Sequence, residues 1–586
     1  MGAAATPLKN VRSSVSSVAG YVLNSTLCWW CISLASALIV TFNTRYLMNP
    51  DGISYLDLAS AALAGGPGKL VNAHWSPGYP ALIGIALFLF RPSPGREFPL
   101  IHGLNFVIFA FASWAFSMFY GYWSGLGRAA RRPDEGSLRL LKPFAFATFL
   151  WFTLSFTGPG LVTPDLGVAA IIFLAAGITC RLAQAESSWK EYAVLGLVLG
   201  AGYYVKAAVL PLGIALLLIL ALTLPASAGL TRRKRYLHIA VAFLVLLLVA
   251  APLIAAISVK VHRITIGEAG WLNYIWHANG LQWTNGTGAP EQYFLNTTPD
   301  HPAPKLAMHP VTLVFASPIG GTYPLWYDPF YWYSSVKARF DLPKLLVALR
   351  VSLGIFKDIL FAGLPFVAGA IVLLWFSLNA TARPILPRTS WWQLAWPVSA
   401  CIMYSLLYVE IRYLAPLLVL LCLAVYRVLM PLVDRRAAAA ACATAALVFM
   451  VPFAVQMAVQ GARVAEDLVR PRAPEYQIEG LGLRKLGLRP GDRLAVVGYA
   501  HNCFYARFDR LRIIAQIPDA DEFWHLGSAD MKTLAERLHS IGVKAVVAFN
   551  GPEPASTPSW REVTISPWTH MDVMLVSPEI ARNSPR

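Results

Sequence analysis

The chain has 586 residues, of which 56% are hydrophobic and only 13% charged, a balance that excludes an ordinary water-soluble globule and leaves a membrane protein. The formal net charge of +17 would suggest nucleic acid in a soluble chain. Here cytoplasmic loops rich in Lys and Arg account for it, so no nucleic-acid partner is expected.

Apolar runs long enough to be helical spans fall at about 22–42, 100–121, 143–160, 166–183, 192–205, 207–224, 237–258, 352–376, 394–408, 411–430 and 438–459. That pattern predicts eleven crossings. The first has no small-residue cleavage site after it and reads as a retained anchor. Cys28-Trp-Trp-Cys31 has redox spacing but lies inside this apolar helix, so membrane packing is its expected role. No disulfide framework is readable among the seven cysteines. Tyr79–Phe90 is apolar but too short to cross, and prolines bracket it. An interfacial or re-entrant helix is expected there.

Basic loops set the orientation. Arg128, Arg131, Arg132, Arg139 and Lys142 fall in one loop, and Arg232, Arg233, Lys234 and Arg235 in another. Arg383 and Arg388 fall in a third, and Arg427, Arg435 and Arg436 in a fourth. With eleven spans all four are cytoplasmic, which puts the N-terminus inside and the C-terminus outside. The outer face then receives the loops 43–99 and 259–350. Residues 1–465 read as the membrane domain. Residues 470–586 read as a small soluble α/β domain on the outer side, with strands at Leu494–Val497, Arg512–Ile517, Val543–Ala548 and Asp572–Val576 and a helix at Ala529–Ile541. Gly491 and Gly498 lack the spacing of a dinucleotide fingerprint.

Most charged or polar residues that interrupt apolar sequence fall on the outer side. Asp51 follows the first span and could cap a helix starting near Ser54, or serve as a base. Asp165, after Pro164, could cap the fourth span or position an acceptor, a metal or a cation. A carboxylate at the edge of hydrocarbon is costly and is usually kept for a purpose. Lys206 either snorkels to headgroups or binds phosphate. Glu410 and Arg412 stand at a span boundary; Lys337 and Arg339 are further candidate cations in the long loop. Asp57 reads as an exposed helix residue. His74 and Trp75 occupy a Pro-rich corner. The aromatic stretch Tyr323–Tyr333, with Asp328 in it, suits interfacial anchoring or stacking on sugar. His262, Glu268, His277 and His309 lack ligand spacing, so no cofactor is expected; a divalent metal is possible but unsupported.

Taken in order, several of these motifs resemble the C-type membrane glycosyltransferases, among them the protein O-mannosyltransferases and the lipid A aminoarabinose transferases. They are Asp51 with Tyr55 four residues on, His74-Trp75-Ser76-Pro77-Gly78-Tyr79-Pro80, Thr163-Pro164-Asp165, Lys206, and Arg412-Tyr413-Leu414-Ala415-Pro416. The resemblance spans roughly residues 20–430. Two departures are visible: Gly52 follows Asp51 where the family often has a second acid, and Ser76 precedes the prolines where a charged residue is common.

The resemblance implies inverting transfer of a monosaccharide from a polyprenyl-phosphate donor to a lipid, glycan or protein acceptor. It implies Asp51 and Asp165 as catalytic carboxylates and Lys206 and Arg412 as donor-phosphate ligands, with Lys337 and Arg339 of the long loop as further phosphate candidates. Tyr55, His74, Trp75, Asp328 and Glu410 would contact substrate. The expected setting is a bacterial inner membrane with the site facing the periplasm and membrane lipid around the spans. Two alternatives stay open: transfer or ligation of a preassembled oligosaccharide, and transport or flipping of a lipid-linked substrate.

Overall fold

A computed structural model describes residues 24–125, 135–183, 188–223, 231–279, 301, 303–334, 337–378, 391–429, 435–551 and 560–576. Much of the basic loop sequence, with Arg128, Arg131, Arg132, Arg383 and Arg388, lies outside the described residues. The chain divides into two compact units. One is Met1–Arg45, His102–Leu253 and Leu349–Leu468; the other is Tyr46–Ile101, Ile254–Ala348 and Val469–Arg586.

The first unit is helical. Among the described residues of the whole chain, six helices are long and apolar enough to cross a membrane, which makes this an integral membrane protein. They match the expected spans at 22–42, 100–121, 166–183, 237–258, 411–430 and 438–459. Four further helices, Glu135–Phe156, Trp189–Val205, Val209–Thr223 and Trp391–Leu407, stand at four more of the expected spans. The expected span 352–376 is instead two helices, Leu342–Ala362 and Leu364–Leu378. Gly363 and Pro365 mark the break: Pro365 has no N–H to continue the first helix's ladder and sits in the first turn of the second, where none is needed.

Packing in this unit follows side-chain size. Gly196 and Gly200, one helical turn apart, let Trp189–Val205 lie against Arg232–Val261; a Cβ at Gly196 would press into the Ala242 carbonyl. Phe116 stacks on Phe149 at 4.4 Å and meets Phe173 edge-on at 5.2 Å. Two buried indoles find acceptors inside: Trp123 Nε1 donates to Gln393 Oε1 at 3.0 Å, and Trp396 Nε1 to the Leu212 carbonyl at 3.0 Å. Phe111, Leu218, Leu248 and Ile371 are exposed, as apolar side chains are on a lipid-facing surface.

The second unit holds a seven-stranded sheet: β1 (Lys305–Met308), β2 (Val311–Val314), β3 (Arg493–Val497), β4 (Arg512–Ile517), β5 (Val543–Phe549), β6 (Trp560–Ser566) and β7 (Thr569–Leu575). Their order is β1-β2-β4-β3-β5-β7-β6, with β3 parallel to β4 and β5 and the other pairs antiparallel. The four tail strands and the helix Ser528–Ser540 appear where the sequence reading puts them; β1, β2 and β6 are additions. Alternation along the central strands supplies both faces. Leu494, Val496 and Ile513 bury against Trp276, Phe315, Tyr323 and Trp332, while Ala495, Val497 and Ile514 bury against Phe523, Leu534 and Leu538. The aromatic loop stretch is therefore core to the sheet. Gly78–Phe90 is a helix of 13 residues packed on Pro50–Gly65, with Ile85, Phe88, Leu89 and Phe90 exposed.

Candidate active site

In the second unit, Asn49 and Pro50 open the helix Pro50–Gly65, with proline preset for the first turn. The cap position is Asn49; Asp51 lies within the first turn, where its charge complements the helix dipole. Trp326, in the short helix Pro324–Tyr327, donates its indole N–H to Asp51 Oδ1 at 3.2 Å. The Trp326 carbonyl accepts from Ser54 Oγ at 2.9 Å and from Trp75 Nε1 at 3.3 Å. Asp51, Ser54, Trp75 and Trp326 thus form one hydrogen-bonded group.

Rings enclose it. Trp326 stacks near Trp276 at 6.0 Å and meets His501 at 5.1 Å and Trp75 at 5.8 Å. Asn72 Oδ1 accepts from the backbone N–H groups of His74 and Trp75 at 2.7 and 3.0 Å and shapes the Pro-rich corner. Burial lowers the imidazoles of His74 and His501 to about 3, so both are neutral. Tyr55 is buried, with Trp75 and Tyr79 edge-on at 5.1 and 5.2 Å.

Asp57 is not exposed, contrary to its sequence reading. It is 7% exposed, and its oxygens accept from Thr322 N at 2.7 Å, Thr322 Oγ1 at 2.9 Å and Arg507 Nη1 at 2.9 Å. Arg507 also donates to Glu97 Oε2 at 3.0 Å and to Ser60 Oγ at 2.9 Å. This guanidinium comes from the tail helix Phe504–Phe508 and replaces the water Asp57 would otherwise need. Asp328 is buried and ion-paired with Lys260 at 3.3 Å; burial raises its carboxyl above the usual range, and Lys260 opposes that. Asp57, Glu97, Asp328, Lys260 and Arg507 line a cavity of about 840 Å³ within this unit. Lys337 and Arg339 are exposed in coil and lie outside the lining of this cavity and of the small pocket beside it.

The first unit gathers the other predicted charges. Asp165 opens Asp165–Leu182 one position after its cap, Pro164, and is 1% exposed. Lys206 ends Trp189–Val205 in extended conformation, which turns its side chain out of the helix. Its Nζ donates to Asp165 Oδ1 at 2.6 Å and sits 3.6 Å over the Tyr413 ring. Arg412, at the start of Ile411–Leu429, is 3.6 Å from Asp165 Oδ2 through Nη1 and pairs through Nε with Glu410. Four residues read separately in the sequence as Asp165, Lys206, Glu410 and Arg412 are one cluster of two cations and two carboxylates. The Lys206 ammonium is therefore ion-paired and largely buried rather than snorkelling.

Sequence reasoning missed Trp326, His501, Glu97 and Arg507 as partners of these groups. Trp326 was signalled only by the density of aromatics around it, and Arg507 by nothing in its neighbourhood. Among the described residues, no group of three or more His, Cys, Asp or Glu is placed to hold a metal ion.

No family model matches the chain, and no curated protein matches it. Solved structures do. ArnT from Cupriavidus metallidurans bound to undecaprenyl phosphate is 14% identical, with 96% of this chain and 100% of that chain covered at a TM-score of 0.48. The Archaeoglobus fulgidus oligosaccharyltransferase in complex with Zn and sulfate is 13% identical, with 88% and 67% covered at a TM-score of 0.42.

Proposed function

We propose that this protein is an inverting membrane glycosyltransferase that takes a monosaccharide from a polyprenyl-phosphate donor and passes it to an acceptor hydroxyl on the outer face of the membrane. The observation that carries the reading is the convergence of Asp165, Lys206 and Arg412 from three separate apolar stretches on one point. Buried charges are expensive and are kept at membrane depth for binding or chemistry. Lys offers a compact charge and Arg a planar fork, the two cations suited to a phosphate.

The roles follow from the chemistry. Asp51 takes the acceptor's proton as its oxygen attacks the anomeric carbon. The bond from that carbon to the phosphate oxygen breaks, and the polyprenyl phosphate departs with the electron pair. Such a leaving group needs cations rather than an acid. Asp165 engages both cations with its two oxygens, so it holds them in place. Glu410, the more exposed carboxylate at 28%, is the partner that a phosphate displaces from Arg412. No metal enters this scheme.

The test is transfer of labelled sugar from a panel of polyprenyl-phosphate monosaccharides, in membranes carrying wild type or Asp51→Asn. Transfer by wild type alone, with both proteins folded, is the expected result. Transfer by both would remove Asp51 as the base. Transfer only from lipid-linked oligosaccharides would replace the monosaccharide donor in this reading.

A further inference from the structure

The cavity of about 840 Å³ in the second unit is large enough for a sugar or two, and the charges on its wall do not balance. Five cations line it (Lys69, Lys260, Arg507, Arg510 and Arg512) against three acids, Asp57, Glu97 and Asp328. Arg507 is consumed by Asp57 and Glu97, and Lys260 faces Asp328. Arg510 reaches Glu97 only at 3.8 Å and is 61% exposed. Among the described residues, Lys69 and Arg512 have no acid within ion-pair range. Two positive charges are left in excess at an open cavity.

Beside Arg512, whose Nη2 reaches the Ile319 carbonyl at 3.5 Å, Gly320 and Gly321 also line the cavity. A Cβ at Gly320 would meet nothing within 4 Å, whereas Gly321, at φ +87°, packs against the Tyr327 ring. The Gly320 backbone therefore carries no side chain that would shield it from a ligand. Apolar side chains such as Val71, Ile319 and Leu511 share the lining with the charged groups. Asp57 and Thr322 also line the small adjoining pocket, together with Ser54, Trp326 and His501. Ser54 is three residues from Asp51, and Trp326 is its hydrogen-bond partner.

We propose that this cavity binds a water-soluble anionic saccharide unit through its phosphoryl or carboxylate group, with Lys69 and Arg512 as the recognising cations. The assignment of that unit to the acceptor rests on the glycosyltransferase reading; the anion site does not. Phosphoryl and carboxylate oxygens both accept from Arg and Lys, so either group satisfies the wall. The floor formed by Arg507, Asp57 and Glu97 is already paired and supplies shape rather than charge.

Binding to the purified full-length chain in detergent tests this without any turnover. The probes are glucose 6-phosphate, glucuronate, neutral glucose and a polyprenyl phosphate, read by equilibrium titration. Saturable binding of both charged sugars but not of glucose is expected. Lys69→Glu and Arg512→Glu should each weaken it by at least about tenfold, the value of one charge-assisted bond, and Lys69→Arg should retain it. Thermal midpoints of the variants establish that they fold. Equal binding of glucose, indifference to all three variants, or no saturable binding of either charged sugar overturns the proposal. Displacement of the sugars by polyprenyl phosphate also overturns it, by giving the cavity to the donor. Charged-sugar binding in a chain that transfers no sugar would keep the anion site and sink the enzyme reading.

Discussion

The indole nitrogen of Trp326 donates to the carboxylate of Asp51 at 3.2 Å across 275 residues of sequence. If Asp51 is the base proposed above, this donor helps to hold its carboxylate in place for the acceptor hydroxyl. Trp326→Phe keeps ring packing on Trp276 and His501 but deletes the donor. Loss of one hydrogen bond to a charged group should lower kcat/KM for sugar transfer roughly tenfold, about 1.4 kcal/mol. The loss should fall on kcat, with the donor KM little changed. An unaltered kcat would show that Asp51 needs no such restraint.

What the sequence made legible was decided by the range of the interaction. Helical apolar runs and the short apolar strands at Leu494–Val497 and Val543–Ala548 are local patterns, and they are found where expected. Lys206 and Asp165 announce themselves because a charge inside apolar sequence has few cheap explanations. Their pairing with each other depends on helix packing and is absent from either segment alone. Asp57 misled for the same reason: amid Leu56, Leu58 and Ala59 it looks like an exposed residue of an amphipathic helix. Its compensation arrives from Arg507, 450 positions later. Strands β1 and β2 were missed because four-residue strands offer too little alternation to stand out in a long loop.

Acid should destabilise the fold through its buried histidines. His501 and His74 sit at about 3 when folded, against 6.5 for an open imidazole. The unfolded chain therefore binds more protons between those values, and stability falls as pH drops below about 6.5, by about 1.4 kcal/mol per pH unit for each ring. His501→Phe keeps an aromatic ring and removes one titration. Its thermal midpoint should decline less steeply than wild type between about pH 6.5 and pH 4. Parallel declines would mean that His501 is not held neutral by burial.

Arg507 should be worth more to folding than a surface arginine. Its side chain is 11% exposed and bridges two carboxylates that are each 6% exposed. Arg507→Ala leaves Asp57 and Glu97 as poorly compensated buried charges, at a cost of about 3–5 kcal/mol. Adding Asp57→Asn and Glu97→Gln to that variant should recover part of the loss, which denaturant titration in detergent would measure. Additive losses across the three substitutions would mean that the bridge contributes nothing as a unit.

The Asp165–Lys206 pair allows binding and folding to be separated. Asp165→Asn leaves the Lys206 ammonium and the Arg412 guanidinium facing each other with half their neutralising charge gone, so it should destabilise by several kcal/mol, about 3–5 by analogy with other buried pairs. Lys206→Met removes the opposite charge while keeping the stem, and Asp165 then retains Arg412 at 3.6 Å; its folding should suffer less. Combining the two substitutions restores neutrality, so the double variant should be more stable than Asp165→Asn alone, a coupling that double-mutant analysis isolates. Donor binding must behave differently. If Lys206 binds the donor phosphate, Lys206→Met and the double variant should both raise the polyprenyl-phosphate KM at least about tenfold, however well the double variant folds. Recovery of stability together with recovery of KM would make the cluster a structural ion pair and nothing more. Recovery of stability alone assigns Asp165 to holding Lys206 in place, and Lys206 to the phosphate.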